Sequence, residues 1–199
     1  MNPTPELVKD FWKHMTGVYN AEVVDKRDSA LMNLIADGLS ALGVTDKQAF
    51  LTRFTTTIGR RIYTPFEVGV ETSLHSLWGQ MVICPHECQH VAQLDEIGEL
   101  QFEARYLISS MARAEFEVAG YRCNLEMDHW RYGKIVDVHE LAGRLRGYGC
   151  SSAEISVAER MLSIAALTVN AGGVVSEAFS VAKLWLDMYA GELREPFLS

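Results

Sequence analysis

Leu7, Phe11, Trp12, Met15 and Val18 recur at three- and four-residue intervals, which predicts an amphipathic helix over residues 5–20. A second stripe, Leu31, Leu34, Ile35 and Leu39, predicts a helix over 26–42 with Gly43 as its stop. Thr45-Asp46-Lys47-Gln48 reads as an N-cap leading into a short turn of helix. The texture changes at Phe54. Thr55, Thr56, Thr57 and Ile58, then Ile62, Tyr63, Phe66, Val68 and Val70, favour extended backbone, with Gly59 and Pro65 as punctuation. This predicts two short strands, about 53–58 and 61–69, joined as a hairpin.

The rest of the chain reads as helix. Leu74, Leu77, Trp78, Met81 and Val82 predict one over 72–82. Pro85 suits a first helical turn, so the next helix either begins there or kinks there. Residues 100–126 carry Phe102, Tyr106, Leu107, Met111, Phe116 and Tyr121 at helical spacing, and Ser109-Ser110 is where this helix can split. A short helix follows over 136–147, ending at Gly147-Tyr148-Gly149. Ser151 and Glu154 form a capping box for a helix over 152–169. After Gly172-Gly173, residues 174–189 give a last helix with Phe179, Val181, Leu184, Trp185 and Met188. No repeat or low-complexity tract interrupts the 199 residues. They suit one α+β, mostly helical domain: N-terminal helices over 1–50, a small sheet and two central helices over 51–130, and C-terminal packing helices over 131–199.

Composition narrows the class of function. A hydrophobic share of 48 % supplies a real core, and a net charge of −8 argues against a nucleic-acid partner. No apolar run reaches 18 residues, so no membrane span is expected. Met1 to Leu7 lack the basic-then-apolar pattern of a secretory signal; the cytoplasm is the expected location, with virion association as the other home. Cys84, Cys88, Cys123 and Cys150 read as reduced, buried thiols. A structural zinc knot at Cys84 and Cys88 is the lesser reading, because the second cysteine cluster of a closed site is missing.

The chemistry concentrates in Ile83-Cys84-Pro85-His86-Glu87-Cys88-Gln89-His90-Val91-Ala92-Gln93. Here H-E-x-x-H places His86 and His90 four residues apart, one above the other on a helix face. Two imidazoles so placed can bind one Zn²⁺, and Glu87 can act as general base on water that the metal activates. Val82, Ile83 and Val91 make the segment apolar enough to be buried, and burying these groups without partners would cost several kcal/mol. A catalytic zinc takes a third protein ligand. The candidates are Glu115 and Glu117, which are about 200° apart on a helix, so only one can face the metal; spacing does not choose between them. Ala119 and Gly120 would let their helix approach closely. Tyr106, Tyr121 and His129 are candidates for an oxyanion donor or a supporting hydrogen bond, with Asp128 available to orient His129; a core role for the tyrosines is the plainer reading. His14 and His75 read as packing histidines and His139 as a helix decoration. Arg60 and Arg61 either line the cleft or are solvated.

H-E-C-Q-H-V-A-Q followed by F-E-V-A-G-Y-R resembles the gluzincin-type zinc metallopeptidases. Closer still, it is similar to the small bacterial and phage-type members with H-E-x-x-H-x-x-Q and a later E-x-E-A-Y helix. Residues 55–65 resemble the strand region that precedes the motif in that group, so the likeness spans roughly residues 53–125. Ala119-Gly120 stand where that group has Glu-Ala. The H-x-x-G-x-x-H extension of the metzincins is absent, since Gln93 and Glu96 occupy those positions. The resemblance implies a minimal zincin fold with Glu117 as third ligand, because Tyr121 follows it by four residues; Glu115 stays in reserve. It implies zinc-dependent hydrolysis of a peptide or protein substrate, with Glu87 as base and the strand beside the motif helix pairing with extended substrate. The alternative is a non-catalytic, zinc-stabilised structural or virion scaffold protein of the same fold.

Overall fold

Thr4 opens the first helix. Its hydroxyl accepts from the Leu7 amide, Pro5 fills the first turn where no N–H is needed, and α1 runs Pro5–Val18 with Val8, Phe11, Trp12 and Met15 buried on one face. The structure is a computed structural model that describes residues 1–27, 29–41 and 46–195; Gly43, Thr45 and the side chain of Leu39 lie outside the described residues.

The chain is mostly helical and, among the described residues, carries one small sheet. Its order is β1-β3-β2: β1 (Glu22–Asp25) pairs in parallel with β3 (Arg61–Thr64), and β2 (Thr56–Ile58) pairs antiparallel with β3. The expected hairpin is present but shorter, with Gly59 at φ 53° turning its corner. β1 is the element that sequence reading missed. Four residues carry little periodicity, and the strand exists through a partner 39 positions away.

α2 spans Ala30–Ala41, beginning at Ala30 rather than 26 because Lys26 turns inward and Asp25 Oδ1 accepts from the Arg27 amide. α3 spans Lys47–Arg53 and is capped by Asp46, whose side chain accepts from Ala49. Residues 72–76 are not helical, contrary to expectation; Thr72 and His75 exchange two backbone hydrogen bonds in a turn instead. α4 begins at Leu77 behind the Ser76 cap and continues without interruption to Ile97. Pro85 therefore sits in its interior, neither a start nor a stop. A proline there removes one backbone bond at a cost of about 3 kcal/mol. The buried Met81, Cys84, Cys88 and Val91, on a helix packed in the middle of the molecule, offset that loss.

The expected break at Ser109-Ser110 is real. α5 (Glu99–Ile108) follows Gly98, at φ 86° and ψ 139°, and ends at the extended Ser109. Ser109 caps α6, which runs Ser110–Tyr132, beyond the expected limit of 126, until Gly133 stops it in the left-handed region. α7 (Val138–Gly143) leads into a 3-10 turn at Arg144–Tyr148, α8 (Ser152–Asn170) carries the expected capping box, and α9 spans Glu177–Tyr189.

Two cores flank the central helices. α1, α4 and α9 enclose Phe11, Trp12, Met81, Cys88 and Trp185; α6, α7 and α8 enclose Val118, Leu125, Leu141 and Leu162. α4 and α6 pack against one another between them. The start of α9 ties this pair together. Gln89 Oε1 of α4 accepts from the Ala178 amide at 3.1 Å, and Glu126 Oε1 of α6 accepts from the Val175 amide at 2.6 Å. All four cysteines are free and buried. Among the described residues no helix is long and apolar enough to cross a membrane.

Candidate metal centre

α4 presents His86 and His90 one turn apart, and α6 presents Glu117 opposite them. Among the described residues, these three form a group whose donor atoms lie within 4.8 Å of one another, and the group could hold a metal ion. His86 Nε2 is 3.4 Å from Glu117 Oε2, and His90 Nε2 is 3.8 Å from Glu117 Oε1. Four donors around zinc with bonds near 2.0 Å stand about 3.3 Å apart, so a cation fits with small side-chain movement. Glu117 Oε2 is buried and has no hydrogen bond, which would be costly if no cation ever met it.

Neighbouring side chains fix the orientation of each donor. His86 Nδ1 is 3.2 Å from Asn124 Oδ1, and His90 Nδ1 is 2.9 Å from Gln93 Oε1. An amide oxygen only accepts, so Nδ1 carries the proton and Nε2 is left for the site. Tyr106 donates to Glu117 Oε1 at 2.6 Å, which leaves Oε2 as the free donor. Gly120 sets the approach of α6 to α4. A Cβ there would lie 2.6 Å from the His86 ring, so no other residue fits without moving a helix or the imidazole. Burial alone would lower the His86 pKa, but Glu117 and Glu87 outweigh it and hold it above the ordinary imidazole value. Burial would likewise raise Glu117, yet the two histidines and Tyr106 hold it below the usual carboxylate range. The carboxylate is thus ready for a cation.

Glu87 stands beside the group without belonging to it. Its Oε2 accepts from Thr57 Oγ1 of β2 at 2.7 Å. The site is nearly closed: His86, Glu87 and His90 are 6–7 % exposed and Glu117 is 2 % exposed. α5 supplies part of the roof. Its Phe102 ring lies 6.0 Å from the His90 ring, and its Glu103 accepts from the Gly59 amide at 3.3 Å.

The structure separates the remaining candidates. Glu115 is exposed and pairs with Arg105 at 3.6 Å, so it lies on the other side of its helix. Tyr121 is buried with its ring 5.3 Å from that of His86, and burial raises its hydroxyl pKa. His129 is not brought to the group. It lies twelve residues beyond Glu117 on α6, about 18 Å along the axis. Asp128 accepts from Trp78 Nε1 at 2.9 Å. Arg60 donates to the Tyr19 carbonyl and pairs with Asp95, while Arg61 pairs with Glu22; their partners lie outside the site. His75 packs on Phe66 and His139 contacts Glu159, as befits a packing and a surface histidine.

Sequence reasoning passed over Thr57, Asn124 and Lys26. Asn124 lies two turns beyond Glu117 on the same face of α6, which is a usable signal once Glu117 is chosen. Thr57 and Lys26 carry no such signal. Comparison with known protein families, curated proteins and solved structures gives no match.

Proposed function

We propose that the chain hydrolyses peptide bonds with a zinc ion held by His86, His90 and Glu117. The observation that carries this reading is the convergence of three buried donors beside a fourth residue, the acidic Glu87, that is not among them. A purely structural centre has no use for that fourth group. The likeness of residues 53–125 to the gluzincin type and the place of β2, an antiparallel edge strand packed against α4, support the same view.

Bound there, zinc supplies a Lewis acid that polarises a carbonyl and acidifies water. The protein's own groups do the rest. His86 and His90 present Nε2, held in place by Asn124 and Gln93. Glu117 presents Oε2 while Tyr106 restrains Oε1. Glu87, steadied by Thr57, takes a proton from the attacking water and delivers it to the departing amine. Tyr121, whose ring packs 5.3 Å from that of His86, is the candidate donor to the reacting carbonyl oxygen. An extended peptide lies along β2 by strand addition.

The near-complete burial of the donors favours a second reading, a structural metal in a scaffold protein. One experiment separates the two. The purified protein is assayed for bound metal and for cleavage of a quenched-fluorescent peptide library, with and without chelator, beside Glu87→Gln. Catalysis predicts that Glu87→Gln keeps the metal and loses cleavage. Metal-loaded parent that cleaves nothing would leave the structural reading standing.

A further inference from the structure

Lys26 is the least expected residue in the molecule. It follows β1 and is fully buried, at 0 % exposure. Its Nζ donates to the Phe54 carbonyl at 2.8 Å and to Thr56 Oγ1 at 2.7 Å, and it stands 3.5 Å from the centre of the Phe50 ring. Among the described residues no carboxylate pairs with it directly. The carboxylate whose field it feels is that of Glu87. An ammonium taken out of water without an ion pair is costly, and burial pulls its pKa down to about 7. The Phe54 contact has a local explanation, since Phe54 ends α3 and a cation suits a helix C-terminus. The Thr56 contact does not.

Thr56 and Thr57 are consecutive on β2, and a strand sends consecutive side chains to opposite faces. Thr56 receives Lys26 on one face. Thr57 donates to Glu87 Oε2 on the other. The edge strand is therefore held from behind by a buried cation and holds the candidate base in front.

We propose that Lys26 is a positioning residue for the hydrolysis proposed above: it clamps β2 through Thr56 and so fixes the Thr57–Glu87 hydrogen bond. The proposal rests on the reading of Glu87 as general base. Lys26 touches neither substrate nor metal donors, and acts through the strand.

The test compares Lys26→Met, Thr57→Val and the double variant with the parent, all loaded with zinc. It reads kcat and KM on the quenched-fluorescent peptide library, zinc per chain, and the thermal midpoint. Lys26→Met is expected to keep its zinc and a midpoint at or above the parent's. Its kcat is expected to fall by roughly ten- to a hundredfold, with KM little changed, as for a displaced catalytic group. The double variant is expected to be no slower than the slower single variant, because both substitutions break one linkage. Three results would overturn the proposal: parental kcat in Lys26→Met, losses that multiply in the double variant, or a lowered midpoint with activity lost only in step with folded protein. An inactive, zinc-loaded parent would remove the hydrolase reading itself, whereas an active parent with an equally active Lys26→Met removes the Lys26 role alone.

Discussion

His86 Nε2 faces Glu117 Oε2 at 3.4 Å, and that oxygen, buried, has no hydrogen bond. α4 supplies the imidazole and α6 the carboxylate, whose other oxygen already accepts from Tyr106. Removing either should empty the centre. Zinc measured after gel filtration is expected to fall to background in His86→Ala and Glu117→Gln. Glu115→Gln, on the solvent side of α6, is expected to bind as the parent does. Full zinc content in His86→Ala would refute the donor set.

Asn124 and Gln93 hold the imidazole protons away from the site. Asn124→Ala and Gln93→Ala should each weaken zinc binding by about ten- to a hundredfold, read by competition with a chromophoric chelator. Unchanged affinity in both would show that the rings need no such orientation.

Gly120 lets α6 approach the His86 ring, since a Cβ at this position would lie only 2.6 Å from the ring, well inside van der Waals contact. Gly120→Ala should destabilise the fold by about 1–3 kcal/mol through overpacking, despite the better helix propensity of alanine. It should also lower metal affinity. Urea unfolding and zinc titration check the two effects; a more stable Gly120→Ala would contradict this packing.

Two buried charges should shape stability against pH in opposite windows. Burial raises Glu126 from 4.5 to about 7, so its contribution is complete below about 4.5 and is lost as pH rises through 7. Burial depresses Lys26 from 10.5 to about 7, so its contribution is present above about 10.5 and is lost as pH falls through 7. Together they place a trough near neutrality, with each group worth at most a few kcal/mol. Urea denaturation from pH 5 to 10 should show the trough. Glu126→Gln should flatten its acid side and Lys26→Met its alkaline side; slopes untouched by both substitutions would refute the assignment.

How far the sequence carries depends on the range of each contact. His86 and His90 were legible because four residues make one helical turn, whatever surrounds it. The helices bearing Leu7 to Met15 and Ile155 to Ala165 were legible for the same reason, and Ser109 marked its own break by capping. Glu117 could not be separated from Glu115 by spacing, only by likeness to a known pattern, because the distinction lies in which face α6 turns to α4. β1, Lys26 and Thr57 stayed hidden because each is defined by a partner far along the chain. Of the two readings left open for Pro85, the helix start is excluded, since its local preference gave way to packing on both sides of α4.

Gln89 and Glu126 reach from the two donor-bearing helices to the Ala178 amide of α9 and the Val175 amide just before it, in a segment that contributes no donor to the group. Any coupling between occupancy of the centre and docking of that C-terminal segment is therefore reciprocal. Whatever part of an ion's binding free energy depends on α9 being docked would oppose its undocking, and undocking would weaken the hold on the ion by the same factor.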